Sequence, residues 1–123
     1  MPPQNRDLIR MRHMFDAATK AVSFVAGKSR NELNVDEKLS LALVRLVEII
    51  GEAASKVTAR TQNRHPDIPW RDIIGTRNRL IYAYEAVNLD ILWQIVTVDI
   101  PSLNTLLQQA IDDEAGENQE NIF

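Results

Sequence analysis

Five residues in one short stretch carry groups suited to a phosphodiester: Arg71, Arg77 and Arg79, followed by Tyr82 and Tyr84. A guanidinium is a planar fork of donors that matches two phosphate oxygens at once. A phenol has a pKa of about 10, so at neutral pH it donates a hydrogen bond or stacks rather than accepting a proton. With Arg60 and Arg64, these arginines could line a nucleic-acid-binding surface; the plainer alternative is a scatter of solubilising charges. Arg77 and Tyr84 are seven apart and share a face on any regular helix, whereas residues five apart point about 140° away from each other. Arg77 and Tyr82 therefore converge only if the helix ends between them, if the arginine reaches around, or across a dimer.

Elsewhere, chemistry-bearing residues are sparse. His13 sits beside an apolar stripe and reads as a helix-surface residue. His65 precedes Pro66 in a polar break and reads as solvated. Glu48 and Glu52 lie four apart, one turn of helix, and could act as a carboxylate pair with Arg45; structural pairing with arginines is the simpler use. No spaced set of His, Asp and Glu suggests a metal, there is no cysteine, and no cofactor is expected.

The chain has 123 residues, a hydrophobic share of 45% and a charged share of 25%, which fits one soluble domain with one core. The net charge of −3 hides an asymmetry. All fourteen Lys and Arg lie at or before Arg79, against nine acids, a balance of +5; residues 80–123 carry eight acids and no Lys or Arg. A whole-chain pI of about 5.3 argues against a general nucleic-acid coat but not against a local basic cleft, because a field depends on where charges sit. No apolar run approaches the roughly 20 residues needed to span a bilayer. Met1 to Arg12 lacks the apolar stretch of a signal peptide. With no cysteine to oxidise, the expectation is a cytoplasmic protein.

Apolar residues recur at three and four positions, so helices must position the site. Asn5 is placed to cap a first helix with Leu8, Met11, Phe15, Ala18, Val22 and Val25 on one stripe, stopping at Gly27. Gly27–Asn34 reads as a connection. A second helix is expected over Val35–Ala59, its core face made by Leu39, Leu43, Leu46, Ile50, Ala53 and Val57. Gly51 costs about 1 kcal/mol relative to Ala inside that helix, so a close approach by another helix is expected there. After a polar break, Pro69 starts a third helix with Trp70, Ile73, Ile74, Leu80 and Ile81. Asn88 caps a fourth, and Pro101 must kink or break it. Trp70 and Trp93 read as core or dimer-interface residues. The expected fold is all-α, an antiparallel four- to five-helix bundle over 1–111, with 112–123 an acidic, flexible tail.

The run from Trp70 to Tyr84 (WRDIIGTRNRLIYAY) resembles the signature region of the HepT-like ribonuclease toxins of the HEPN superfamily. Val44 to Ala53 (VRLVEIIGEA) is similar to the family's second-helix pattern. His65 to Trp70 (HPDIPW) and Asn88 to Trp93 (NLDILW) also match in order and spacing. The resemblance extends from about Arg6 to Leu107. The family motif is Arg, four residues, His, one residue, Tyr. Arg77 and Tyr84 match it, and Tyr82 stands in place of the histidine. Lesser departures are Glu85 at an aromatic position and Asn88 at an aspartate position.

The resemblance implies a metal-independent ribonuclease, working as a homodimer in which two motifs face one cleft. Its substrate would be RNA, with tRNA one candidate. Arg77, the residue at position 82 and Tyr84 would be catalytic, and Arg71, Arg77 and Arg79 would bind RNA. The 2′-hydroxyl attacks the adjacent phosphate once a base removes its proton, and the 5′-oxygen needs a proton in return. Histidine suits both tasks because its unperturbed pKa of about 6.5 lies near working pH. Tyr82 cannot readily do so, and loss of a general base typically costs about 10²–10⁴-fold. A weak or silent nuclease is therefore expected. The alternative is a non-catalytic HEPN dimer that binds RNA or protein. The family's partner, the nucleotidyltransferase antitoxin MntA, is thought to attach AMP to the motif tyrosine, here Tyr84. The charge and bulk of AMP would block a cleft meant for phosphates.

Overall fold

The computed structural model describes residues 5–80 and 87–120, with side chains through Gly116. The elements are α1 (Arg6–Val25), α2 (Glu32–Val35), α3 (Glu37–Ser55), α4 (Ala59–Arg64), α5 (Trp70–Leu80) and α6 (Leu89–Gln94). A π-helical turn (Ile95–Asp99) then leads into α7 (Ile100–Glu120). The fold is an all-α bundle, in which α1 packs on both α3 and α7, and α3 packs in turn on α5.

Local chemistry explains most boundaries. The Asn5 side chain accepts the Leu8 N–H at 3.0 Å and starts α1. Gly27 takes a positive φ of 73° just past the last turn, where a Cβ would be strained. The Gly27–Asn34 connection is not wholly irregular, because it contains the start of α2. The Ser40 hydroxyl donates to the Leu33 carbonyl at 2.7 Å and ties that turn to α3.

The expected helix over Val35–Ala59 is divided. Asp36 caps α3 through the Leu39 N–H, and α3 stops at Ser55. Thr58, in extended backbone with ψ 154°, opens the separate α4. The break arises because Asp7 of α1 holds Thr58 by both its N–H and its hydroxyl, an anchor that a continuing helix would not present.

The core face of α3 is as the periodicity predicts, with Leu39, Leu43, Leu46, Ile50, Ala53 and Val57 all buried. On α1 the face is wider than the predicted stripe. Met14, Ala17 and Ala21 are buried, while Phe15 and Val22 only pack against the core's edge. Flanking by two helices explains this, since each takes its own stripe of α1 and small alanines allow close approach. Met11, Met14, Leu43 and Leu107 are buried to 1% exposure or less, each contributing roughly 1.5–3 kcal/mol.

Pro101 neither ends the last helical path nor interrupts it. The turn before it widens to a π geometry, in which the Ile100 N–H reaches Ile95 O, five residues back. Thr97 donates its hydroxyl to Trp93 O at 2.6 Å within the same segment. The widening lets the helix continue past a residue that has no N–H to give. The helix also runs beyond the expected domain end at 111. Residues 112–120 are helical rather than an irregular tail, and Glu114 is 2% exposed.

Candidate functional site

Helix α5 carries the arginines. Its start is set by Pro69, whose carbonyl accepts the Ile73 N–H at 3.0 Å, so Trp70 rather than Pro69 is the first helical residue. Trp70, Ile73, Thr76 and Leu80 are buried at spacings of three and four. Their face lies on α3 at Gly51, where an added Cβ would stand 3.2 Å from Ile73 O. That contact is the close approach Gly51 was expected to permit. Gly75 faces open space, and the helix passes through it without a break.

The rest of the helix surface is mostly polar, with Ile74 exposed among it. Arg71, Arg77, Asn78 and Arg79 are exposed. Arg77 and Arg79 occupy the last described turn, where positive charge complements the helix dipole. Arg71 and Arg77 are exposed, and neither makes an ion pair with a described residue. Arg79 differs. It stands 3.9 Å from Asp99 of the π turn, both about half exposed, a pair worth little to stability.

Beside Arg79 opens a hollow of about 380 Å³ between α3, α5 and the start of α7. Val47, Ile50, Ile73 and Leu103 form apolar walls, and Asp72, Thr76, Gln94 and Asp99 supply polar groups. Ile74 and Val98 are exposed. Tyr82 and Tyr84 lie outside the described residues. The chain re-enters at Val87, and the Asn88 N–H donates to Leu80 O at 2.8 Å, fixing both sides of that interval. Asn88 then caps α6 by accepting the Asp90 and Ile91 N–H groups. It performs the capping role although it is not aspartate.

Glu48 and Glu52 of α3 each meet a base about one helical turn away. Arg45 pairs with Glu48 at 3.7 Å and Lys56 with Glu52 at 3.4 Å, both on accessible surface. His13 is exposed and flanks a shallow hollow with Arg10, Arg45 and Lys56. Trp70 is buried in the core, and Trp93 is half-buried against it. Among the described residues no group of three or more His, Asp or Glu is placed to hold a metal, and no helix is long and apolar enough to cross a membrane.

A second polar centre escaped the sequence reading. Asp7 accepts hydrogen bonds from the Thr58 hydroxyl at 2.5 Å, the Thr58 N–H at 3.0 Å and the Thr61 hydroxyl at 2.5 Å. Burial pushes the Asp7 carboxyl up. The hydrogen bonds from Thr58 and Thr61 and the nearby Arg64 charge outweigh that and leave its pKa below the ordinary carboxylate value. Arg64 also pairs with the buried carboxylate of Glu114, on α7.

His65 corrects the expectation of a solvated residue. Its side chain is 11% exposed, and Nε2 lies 3.6 Å from Glu114 and has no hydrogen-bond partner among the described residues. Burial follows from the fold of the break itself, because the His65 carbonyl accepts both the Ile68 N–H and the Trp70 indole N–H. A signal for Glu114 existed in the sequence. It continues the Leu103, Leu107, Ile111 stripe of α7, where a carboxylate is out of place without a partner.

Comparison with known proteins adds a family. A model described as ribonuclease HepT-like matches residues 14–110. A probable ribonuclease HepT of Thermococcus cleftensis is 44% identical over 55% of this chain and 62% of its own length, so the match spans less than two thirds of that relative. A protein of Caldanaerobacter subterraneus subsp. tengcongensis, named "Putative RNase TTE0752", is 31% identical over 85% of this chain and 93% of its own. No solved structure matches.

Proposed function

The chain belongs to the HepT-like ribonuclease family, and from that premise we propose that it is the toxin half of a toxin–antitoxin pair with a weakened catalytic centre. The observation that carries this reading is Arg77. It stands where the resemblance puts the motif arginine, is exposed in the last described turn of α5, and no described acid pairs with it. A guanidinium left open in this way is available to the negative charge that builds on a phosphate during attack by a 2′-hydroxyl. Arg71 and Arg79 extend the positive surface along the same helix, for contact with RNA phosphates.

Tyr82 replaces the histidine that would pass protons between the 2′-hydroxyl and the 5′-oxygen. A phenol can hydrogen-bond to the phosphate or stack on a base, but it is a poor acceptor of a proton at neutral pH. In the proposed homodimer two copies of the motif share one cleft, which relieves the geometric conflict between positions 77 and 82 on a single helix. Tyr84 is the acceptor for AMP from a nucleotidyltransferase antitoxin, and the acidic segment 80–123 is a surface on which that partner can dock. The cellular setting of this scheme is cytoplasmic.

The test pairs this chain with its Tyr82→His form against total RNA and tRNA. Cleavage and growth arrest by the His form alone identify a disarmed toxin. If neither form cuts, the alternative gains: a HEPN module that binds RNA or protein without chemistry, which the tyrosine substitution itself favours. Coexpression with a nucleotidyltransferase encoded by an adjacent gene, followed by mass measurement, checks Tyr84; no AMP-sized increment there counts against the modification.

A further inference from the structure

We infer that Glu114 is a positioning residue for α5, acting from the acidic end of α7 through Arg64 and His65. The inference rests on the reading of α5 as the RNA-facing helix. A carboxylate 2% exposed is expensive to keep charged without a partner, and among the described residues Glu114 pairs with Arg64, with the His65 imidazole packed beside it at 3.6 Å. These are consecutive residues at the end of α4, so one buried charge fixes the backbone at that point. The carbonyl of His65 accepts the Trp70 indole N–H at 3.0 Å and the Ile68 N–H at 3.2 Å. Trp70 is the first residue of α5 and is itself buried, so its place sets where the helix begins. Arg71 follows at once, and Arg77 and Arg79 lie at the far end of the same rigid rod.

The rest of α4 supports this use. Its attachments include polar ones: Asp7 to Thr58 and Thr61, and Gln62 to the Val57 carbonyl at 3.1 Å. Such contacts are directional, and they hold a short segment in one orientation where apolar packing would let it slide. The same α7 that carries Glu114 packs on α1, so the anchor is tied to the centre of the bundle.

The experiment uses the full chain and reads two signals. The Trp70 indole N–H gives its own NMR resonance, reporting on the link without RNA. RNA affinity, measured on the same samples, reports on α5. Glu114→Gln keeps the side chain's shape and removes its charge; Glu114→Ala removes both. The expected result is a displaced Trp70 resonance in both variants, with that of Trp93 unmoved, and an RNA affinity reduced by up to about 10²-fold in the alanine form. Leu107→Ala, a core truncation on the same helix, is the control: it lowers Tm and leaves the Trp70 resonance in place.

Glu114→Gln decides if the alanine form does not fold. A glutamine form with the parent's Trp70 resonance and RNA affinity would overturn the inference and leave Glu114 a stabilising residue only. If the parent chain binds no RNA at all, the ribonuclease reading fails, and the Trp70 resonance alone judges the link from Glu114 to α5.

Discussion

Arg64 and Arg77 lie thirteen positions apart in the same basic half of the chain, yet the fold treats them in opposite ways. Arg64 is turned onto a buried carboxylate contributed by the far end of the molecule. Arg77 projects from the last described turn of α5 with no described acid near it. One arginine is spent on holding the bundle, and the other pairs with no acid among the described residues. The difference shows that a basic residue near a motif carries no function by its type alone; what matters is whether the fold has already satisfied it. Arg79 is intermediate, with a loose, half-exposed pair to Asp99.

The comparison can be sharpened by experiment. The largest effect is expected at the open end. Tyr82→His should raise RNA cleavage by about 10²–10⁴-fold over the parent, and adding Arg77→Ala should abolish that gain while Tm stays unchanged. Cleavage unaffected by Arg77→Ala would show that the exposed guanidinium is idle.

At the paired end the order reverses. Arg64→Ala should cost stability, about 2–3 kcal/mol by chemical denaturation. This is below the range for a fully enclosed pair because Arg64 is 37% exposed and His65 remains beside the carboxylate. A midpoint equal to the parent's would mean that solvent reaches Glu114 readily.

Gly51→Leu tests the contact that seats α5. Its Cβ would meet Ile73 O at 3.2 Å, and the larger side chain must push α5 outward, for a loss of about 1–3 kcal/mol in the same assay. An unchanged midpoint would show that α5 yields without strain.

The smallest effect concerns Asp7. Its pKa is lowered on folding, so it contributes stability that is present above its unfolded value and lost as the pH falls through its folded value. Asp7→Asn should therefore lower Tm slightly at neutral pH and flatten the acid limb of the stability profile. A variant whose acid limb matches the parent's would remove Asp7 from the clamp around Thr58.

Much of the fold was legible in the residues. Asn5 and Asn88 were identified as caps, Gly27 as a stop, and the α3 core face residue by residue, because each depends on spacing or on a side chain acting within a few positions. The errors share a cause. The break between α3 and α4, the burial of His65 and the helical run through Glu114 all depend on a partner distant in sequence: Asp7 for Thr58, Glu114 for Arg64 and His65. At Pro101 the helical path changes form instead of ending, through a π turn just upstream that residue type alone does not specify.

The sequence by itself determined the helical class, the apolar faces, the caps and the likeness to the HepT-like family, because these are set by periodicity, by local hydrogen bonding and by residue identity. It also recorded the charge division at Arg79. Only the tertiary structure decided what that division does. Arg30 meets Asp90, Arg79 meets Asp99, and Arg64 meets Glu114, each pairing a base from one side of the boundary with an acid from the other. Coulomb attraction acts through space and is strongest where water is excluded, so no spacing along the chain could say which arginines would be claimed across that boundary.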